Sequence, residues 1–345
     1  MYQADYIIVG QGLAGSCLAL QLIMRNKRIV VIDNSYPHAA SRVAAGLFNP
    51  VTGKTPGLTW MAAELFSYLH EFYPKAEQLL NTSFFHSMPV YRPFTGIAEQ
   101  NDWTAKSTLP GFGPFVREVH TKPVFPDEVN NPYGGLELMQ GGYLNTTVFL
   151  AAVRNLIRAS GVFIEGHFNE HELHLEPNTL TYQHYRANRI VFCTGAQPIN
   201  LFHFLTVQPL KGEVLTLRSS VQPRFIYNRS VYVVPGVWKA GATYNRHDKH
   251  AAVTHRAKAE LEESLRRLIR FPYEVTGQDF GFRTTTPDRR PLLGCHPQYR
   301  NVYFFNGLGT KGVTLAPYFS KQMADFMEKG TAVNQQADIK RYLIR

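Results

Sequence analysis

Two kinds of apolar patterning divide the chain. In the first, short runs are apolar at nearly every position, at residues 4–9, 29–32, 161–165, 189–193 and 302–305. Such β-branched runs predict strands buried on both faces of a parallel sheet. Segments with helical spacing lie between them, at 16–25 (Leu18, Ala19, Leu22 and Ile23 on one face), about 58–73, 146–160 and about 313–329. In the second kind, at about 81–137 and 208–273, Pro-, Gly- and aromatic-rich stretches alternate in polarity, as in 212–217, 230–234 and 239–243. Alternation predicts an antiparallel sheet with one face packed and the other over a cavity. A helix with a basic outer face is expected at 255–270.

The first strand runs straight into Gly10-Gln11-Gly12-Leu13-Ala14-Gly15, and the second ends in Asp33. Strand, G-x-G-x-x-G, helix, strand and terminal acid together make a dinucleotide-binding βαβ unit. Gly10 permits the tight turn, and Gly12 lets the backbone approach a pyrophosphate. Gly15 lets the helix pack closely on the strand, and the helix N-terminus faces the anion. Asp33 lies eighteen residues past Gly15, near the ~20 expected of the acid that bonds the ribose. The unit does not by itself separate NAD from FAD.

Composition narrows the class. The 345 residues are 44% hydrophobic and 18% charged, enough for the cores of two folded units and too apolar for a mainly disordered chain. A surplus of 36 Lys and Arg over 26 Asp and Glu gives +10, which permits an anionic ligand or nucleic acid without demanding either. Cys17, Cys193 and Cys295 are too few and scattered for a disulfide framework or zinc knuckle, and fit a reducing compartment. No apolar run reaches the ~18 residues of a membrane span. No basic leader precedes the glycine motif, so a cytoplasmic location is expected. His167, His171, His174 and His184, like His247, His250 and His255, follow no ligand spacing, and no metal is expected.

Further blocks follow in order: Ala40-Ser41-Arg42-Val43-Ala44-Ala45-Gly46-Leu47, Gln140-Gly141-Gly142-Tyr143, Thr194-Gly195-Ala196, Gly281-Phe282-Arg283-Thr284-Thr285-Thr286-Pro287-Asp288 and Gly307-Leu308-Gly309-Thr310-Lys311-Gly312. Over almost the whole chain they resemble the D-amino acid oxidase family of FAD-dependent amine oxidoreductases. The resemblance implies a Rossmann-like α/β FAD-binding domain (1–80, 138–207 and 274–345). It also implies a discontinuous antiparallel-sheet α+β substrate domain (81–137 and 208–273). Ser41, Arg42, Ala45, Gly46 and Leu47 then pass beside the flavin, Thr194 and Gly195 lie against the dinucleotide together with Asp33 and Asn34, and Phe168 or Asn169 nears the adenine. Asp33 stands where Glu is commoner, and the shorter acid still reaches a ribose. Relatives with covalent flavin use a His or Cys at places matched here by Val43 and Gly281, so non-covalent FAD is implied.

The segment Gly309, Thr310, Lys311, Gly312, Val313 and Thr314 also carries its own argument. A helix start presents free N–H groups and about half a positive charge, which favours the anionic edge of a reduced flavin. Lys311 adds a full charge. On the substrate side, a carboxylate calls for the planar fork of an arginine. Arg283 matches the family's carboxylate-binding arginine and Tyr232 a tyrosine that assists it. The competing structural roles are a salt bridge from Arg283 to Asp288 and a core position for Tyr232.

The leading expectation is an oxidoreductase that moves a hydride from the carbon beside an amine to the flavin, with a small carboxylated amine as substrate. Oxygen or another acceptor reoxidises the cofactor. Two alternatives stand beside it. One is the oxidase of a tRNA wobble-uridine modification enzyme, whose glycine-like group Arg283 would equally serve. The other is a non-catalytic flavin-binding protein.

Overall fold

The computed structural model describes residues 1–52 and 57–343. The strand Tyr2–Val9 lies between Ile29–Asp33 and Tyr185–Phe192, parallel to both, and Val162–Glu165 and Val302–Asn306 extend the parallel sheet on either side. The helix Leu13–Ile23 is apolar all round, and every residue from Leu13 to Leu22 is buried. It is sandwiched, as such a helix must be, between the sheet and the helices Thr146–Ser160 and Gly312–Lys329. The expected Rossmann-like unit is thus in place.

Among the described residues, two prolines sit inside helices. The helix expected at 58–73 runs Ala62–Leu80, straight through Pro74, and ends at Asn81 in the left-handed region (φ 46°). Its stripe of Leu65, Phe66, Leu69, Phe72, Tyr73 and Ala76 is buried in the main core, and that burial outweighs the local penalty of the proline. In the last helix, Pro317 has no N–H for the carbonyl of Val313 four residues back. The Tyr73 hydroxyl takes its place and donates to that carbonyl at 2.9 Å.

The second sheet has eight strands in the order Glu274–Thr285, Gln208–Arg218, Lys239–Gly241, Tyr232–Val234, Ile226–Asn228, Val90–Pro93, Gly135–Leu138 and Val116–His120. All pairings are antiparallel except that of Ile226–Asn228 with Val90–Pro93. One face packs on the helix His255–Leu268 through Leu261, Leu265, Leu215 and Tyr227. The other turns Val234, Ile226 and Tyr232 toward Ala45 and Leu47 of the cofactor side. Strand pairing shifts one expected boundary: Glu274–Thr285 pairs end to end with Gln208–Arg218, so this sheet extends to residue 285.

Candidate active site

A cavity of about 2470 Å³ runs from the turn at Gly10 to the inner face of the second sheet. Pockets for small molecules are usually ~300–1,000 Å³. This one therefore has room for an extended dinucleotide and a second, smaller molecule. Every position expected at cofactor or substrate lines it except Gly15.

The dinucleotide end is built by backbone contacts that exclude side chains. Gly10 has φ +99°, and a Cβ there would stand 2.4 Å from the Cys193 carbonyl oxygen. Gly15 faces inward, and its Cβ would come within 1.9 Å of the Gly10 carbonyl oxygen. This is the close strand–helix packing its place in the motif requires. Gly12 is the N-cap of the helix and supplies no side-chain hydrogen bond to it. Only the Leu13 N–H is engaged by a side chain, donating to Ser41 Oγ at 3.0 Å. The Asp33 carboxylate accepts from the Gln11 N–H at 2.7 Å and the Ser35 N–H at 2.8 Å, with Arg42 at 3.4 Å and Arg154 at 3.7 Å. Phe168 reaches the wall stacked on Tyr182, ring centroids 4.7 Å apart.

Arg154 and the Gln11 side chain escape a reading of the motif. Arg154 Nε donates to Gln11 Oε1 at 3.0 Å from the helix Thr146–Ser160. The one local sign is a charge set among Leu150, Val153 and Ile157 on that helix.

The last helix opens onto the cavity through Lys311, Gly312 and Val313, again with no capping side chain. The Lys311 ammonium is drawn inward, donating to Thr52 Oγ1 at 2.7 Å and Thr59 Oγ1 at 3.1 Å. Burial, reinforced by the charges of Arg290 and Arg289, pushes its pKa down to about 8. Trp60, on the same wall, carries the Arg290 guanidinium 4.3 Å from its ring centroid. The sequence left Thr52 and Thr59 unmarked, because their role depends on a lysine some 250 residues away, and Trp60 and Arg290 likewise meet only through the fold.

At the far end, Arg283 and Tyr232 come together across the sheet. The acid expected to compete for Arg283 is occupied elsewhere, since Asp288 pairs with Arg341 at 2.9 Å. Arg283 instead donates to the Thr243 carbonyl at 3.3 Å and lies 5.1 Å from the centre of the Tyr244 ring. Gly212 leaves it space, because a Cβ there would meet Arg283 Nη1 at 2.3 Å. Burial pushes the Tyr232 phenol up to about 12 while the Arg283 charge pulls it down. Its hydroxyl therefore stays a hydrogen-bond donor at neutral pH. The next residue, Thr284, accepts at its carbonyl from the Gly309 N–H at 2.8 Å. One strand thus carries the arginine and braces the loop before the last helix.

The family model for FAD dependent oxidoreductases matches residues 5–326. The chain belongs to this family. The bifunctional protein ThiO/ThiG of Nostoc sp. is 26% identical across 97% of this chain and 53% of its own length. The tRNA 5-methylaminomethyl-2-thiouridine biosynthesis bifunctional protein MnmC of Saccharophagus degradans is 23% identical across 92% of this chain and 52% of its own. The chain thus spans about half the length of these relatives. In fold it resembles glycine oxidase from Geobacillus kaustophilus, with a TM-score of 0.79 at 19% identity over 95% of both chains. FAD is the family's cofactor, and the cavity suits it: two helix starts whose N-cap residues give no side-chain bond, a glycine turn with no room for a Cβ at Gly10, and a fixed carboxylate at Asp33.

Proposed function

We propose that the protein oxidises the C–N bond of a small amine or amino acid bearing a carboxylate, using non-covalent FAD. The observation that carries this reading is Arg283, a guanidinium without an acid partner among the described residues, sharing a cavity with the glycine turn. An arginine in such a place is costly unless an anion completes it. Bound along the glycine turn and the last helix start, FAD would supply the acceptor for a hydride from the carbon beside the amine, leaving an imine for water to hydrolyse.

The chain's own residues orient and stabilise. Arg283 grips two carboxylate oxygens with its fork, and Tyr232 donates a further hydrogen bond from its protonated hydroxyl. Together they fix the position of the oxidised carbon, which is the protein's main contribution to such a reaction. Lys311 and the last helix start supply positive charge at the cofactor wall. Val43 and Gly281 offer no atom for a covalent flavin link. Glycine oxidase, similar in fold, is named for a substrate of this class. The test is anaerobic bleaching of the bound flavin by glycine, sarcosine, D-amino acids and proline. Peroxide release in air then identifies oxygen as the acceptor. Flavin that none of these amines bleaches would refute the proposal.

A second reading is favoured by the cavity rim. Tyr244 (67% exposed), Arg246 and His247 stand at the mouth, followed by exposed Lys249, His250 and Arg256. An aromatic ring among cations suits a nucleic acid, and MnmC acts in tRNA modification by name. tRNA binding that weakens steeply with salt would support this reading, and binding indifferent to salt would reject it.

A further inference from the structure

Two charged residues deep in the second sheet have no part in the chemistry above. Lys211 is 1% exposed and Glu213 is 3% exposed, on either side of Gly212 in the strand Gln208–Arg218. Lys211 Nζ donates to Asp248 Oδ2 at 2.6 Å and to the Ala252 carbonyl at 2.6 Å, with Glu213 Oε1 at 3.9 Å. Glu213 accepts from the Thr254 N–H at 2.8 Å, Thr254 Oγ1 at 2.9 Å and Gln278 Nε2 at 2.7 Å. Backbone bonds complete the attachment. Lys211 and Asn245 exchange two at 3.0 Å, and Thr243 donates to the Glu213 carbonyl at 3.1 Å.

All of these groups hold one segment, residues 243–254, which has almost no apolar anchor of its own. Val253 and Tyr244 are both exposed, and from Tyr244 to Val253 no residue is buried. A buried ion pair adds little net stability compared with apolar residues of the same size. What it does supply is a single fixed geometry. Here that geometry encloses Arg283 on three sides, with Gly212 next to the guanidinium, the Thr243 carbonyl accepting from it and the Tyr244 ring against it.

We propose that Lys211 and Asp248 form a latch that positions Arg283 for carboxylate binding, an inference that rests on the oxidase reading. The latch touches neither substrate nor cofactor. It fixes the two backbone segments between which the guanidinium lies, so that the fork meets a carboxylate already oriented. A misplacement of about 1 Å can cost an enzyme up to ~100-fold in rate.

Asp248→Asn is the informative variant, because Asp248 is only partly buried and the change is isosteric. Lys211→Met strands Glu213 and risks the fold, so it serves only as a second variant. Holoenzyme is titrated with sarcosine, with sarcosine methyl ester, and with amine-free aliphatic carboxylic acids that perturb the flavin spectrum. Asp248→Asn is expected to weaken acid and sarcosine binding by about tenfold while leaving ester binding and limiting kcat unchanged, with partial rescue by Asp248→Glu. The latch is overturned if Asp248→Asn binds acids as tightly as the parent, or if acid and ester weaken together. The carboxylic acids report on Arg283 without turnover. A parent protein that binds acids but oxidises no amine therefore refutes the oxidase reading while still testing the latch.

Discussion

Gly212 and Arg283 compete for one space: a Cβ at position 212 would stand 2.3 Å from the Arg283 Nη1. The atom displaced is the far end of a flexible side chain. Gly212→Ala is therefore expected to fold and retain FAD while pushing the guanidinium from its place. KM for a carboxylated amine should rise about tenfold with the flavin content unchanged. A colourless Gly212→Ala protein would show that the position serves the fold instead.

Replacing the arginine itself separates charge from shape. Arg283→Gln should lower kcat/KM for sarcosine by about 10- to 100-fold, the range given by ~1.5–3 kcal/mol for hydrogen bonds to a charged group. Arg283→Lys keeps the charge but loses the two-pronged geometry, and should recover only part of that loss. Steady-state kinetics on the acid and its methyl ester make the comparison. Equal losses on both would remove Arg283 from carboxylate binding.

The dinucleotide turn allows no such relief. A methyl at Gly15 meets the Gly10 carbonyl oxygen at 1.9 Å, and both partners are backbone. Gly15→Ala is expected to be insoluble or free of flavin. Asp33→Ala is milder. It should fold and lose FAD on gel filtration, because its carboxylate also offsets Arg42 and Arg154. Flavin absorbance per mole of protein reads both.

Lys311 gives the cavity a titration. Its pKa is lowered from the ordinary 10.5 to about 8, so the wall loses a positive charge as pH rises through about 8. The flavin potential should fall across that interval, and Lys311→Met should flatten the dependence. The folded protein releases this proton before the unfolded chain does. The group's contribution to stability therefore rises between about pH 8 and 10.5. A potential with the same pH dependence in Lys311→Met would detach this lysine from the cofactor.

Much of the cofactor half can be read from the sequence because its determinants are local. Gly10, Gly12, Gly15 and Asp33 fall within two dozen residues, and each imposes a conformation or an acceptor at a fixed offset. The substrate half is legible only as residue types. Arg283 is visible in its block, but its neighbour Gly212 is brought there by a register that pairs Leu210 with Arg283 and Gly212 with Gly281. No alternation pattern specifies that register. The sequence offers Asp288 as a competing partner for Arg283, and only the return of the C-terminal segment brings Arg341 to pair with it instead. The helix expected to stop near residue 73 runs on through Pro74 to Leu80, because the buried stripe around that proline is a tertiary fact.

The bond from the Gly309 N–H to the Thr284 carbonyl has an evolutionary corollary. Selection for a new substrate through the strand Glu274–Thr285 would disturb the redox tuning at the same time, since both ride on one rigid beam. The rim segment from Tyr244 onward bears no such double duty. It is where lineages can diversify what they accept without retuning how they oxidise it.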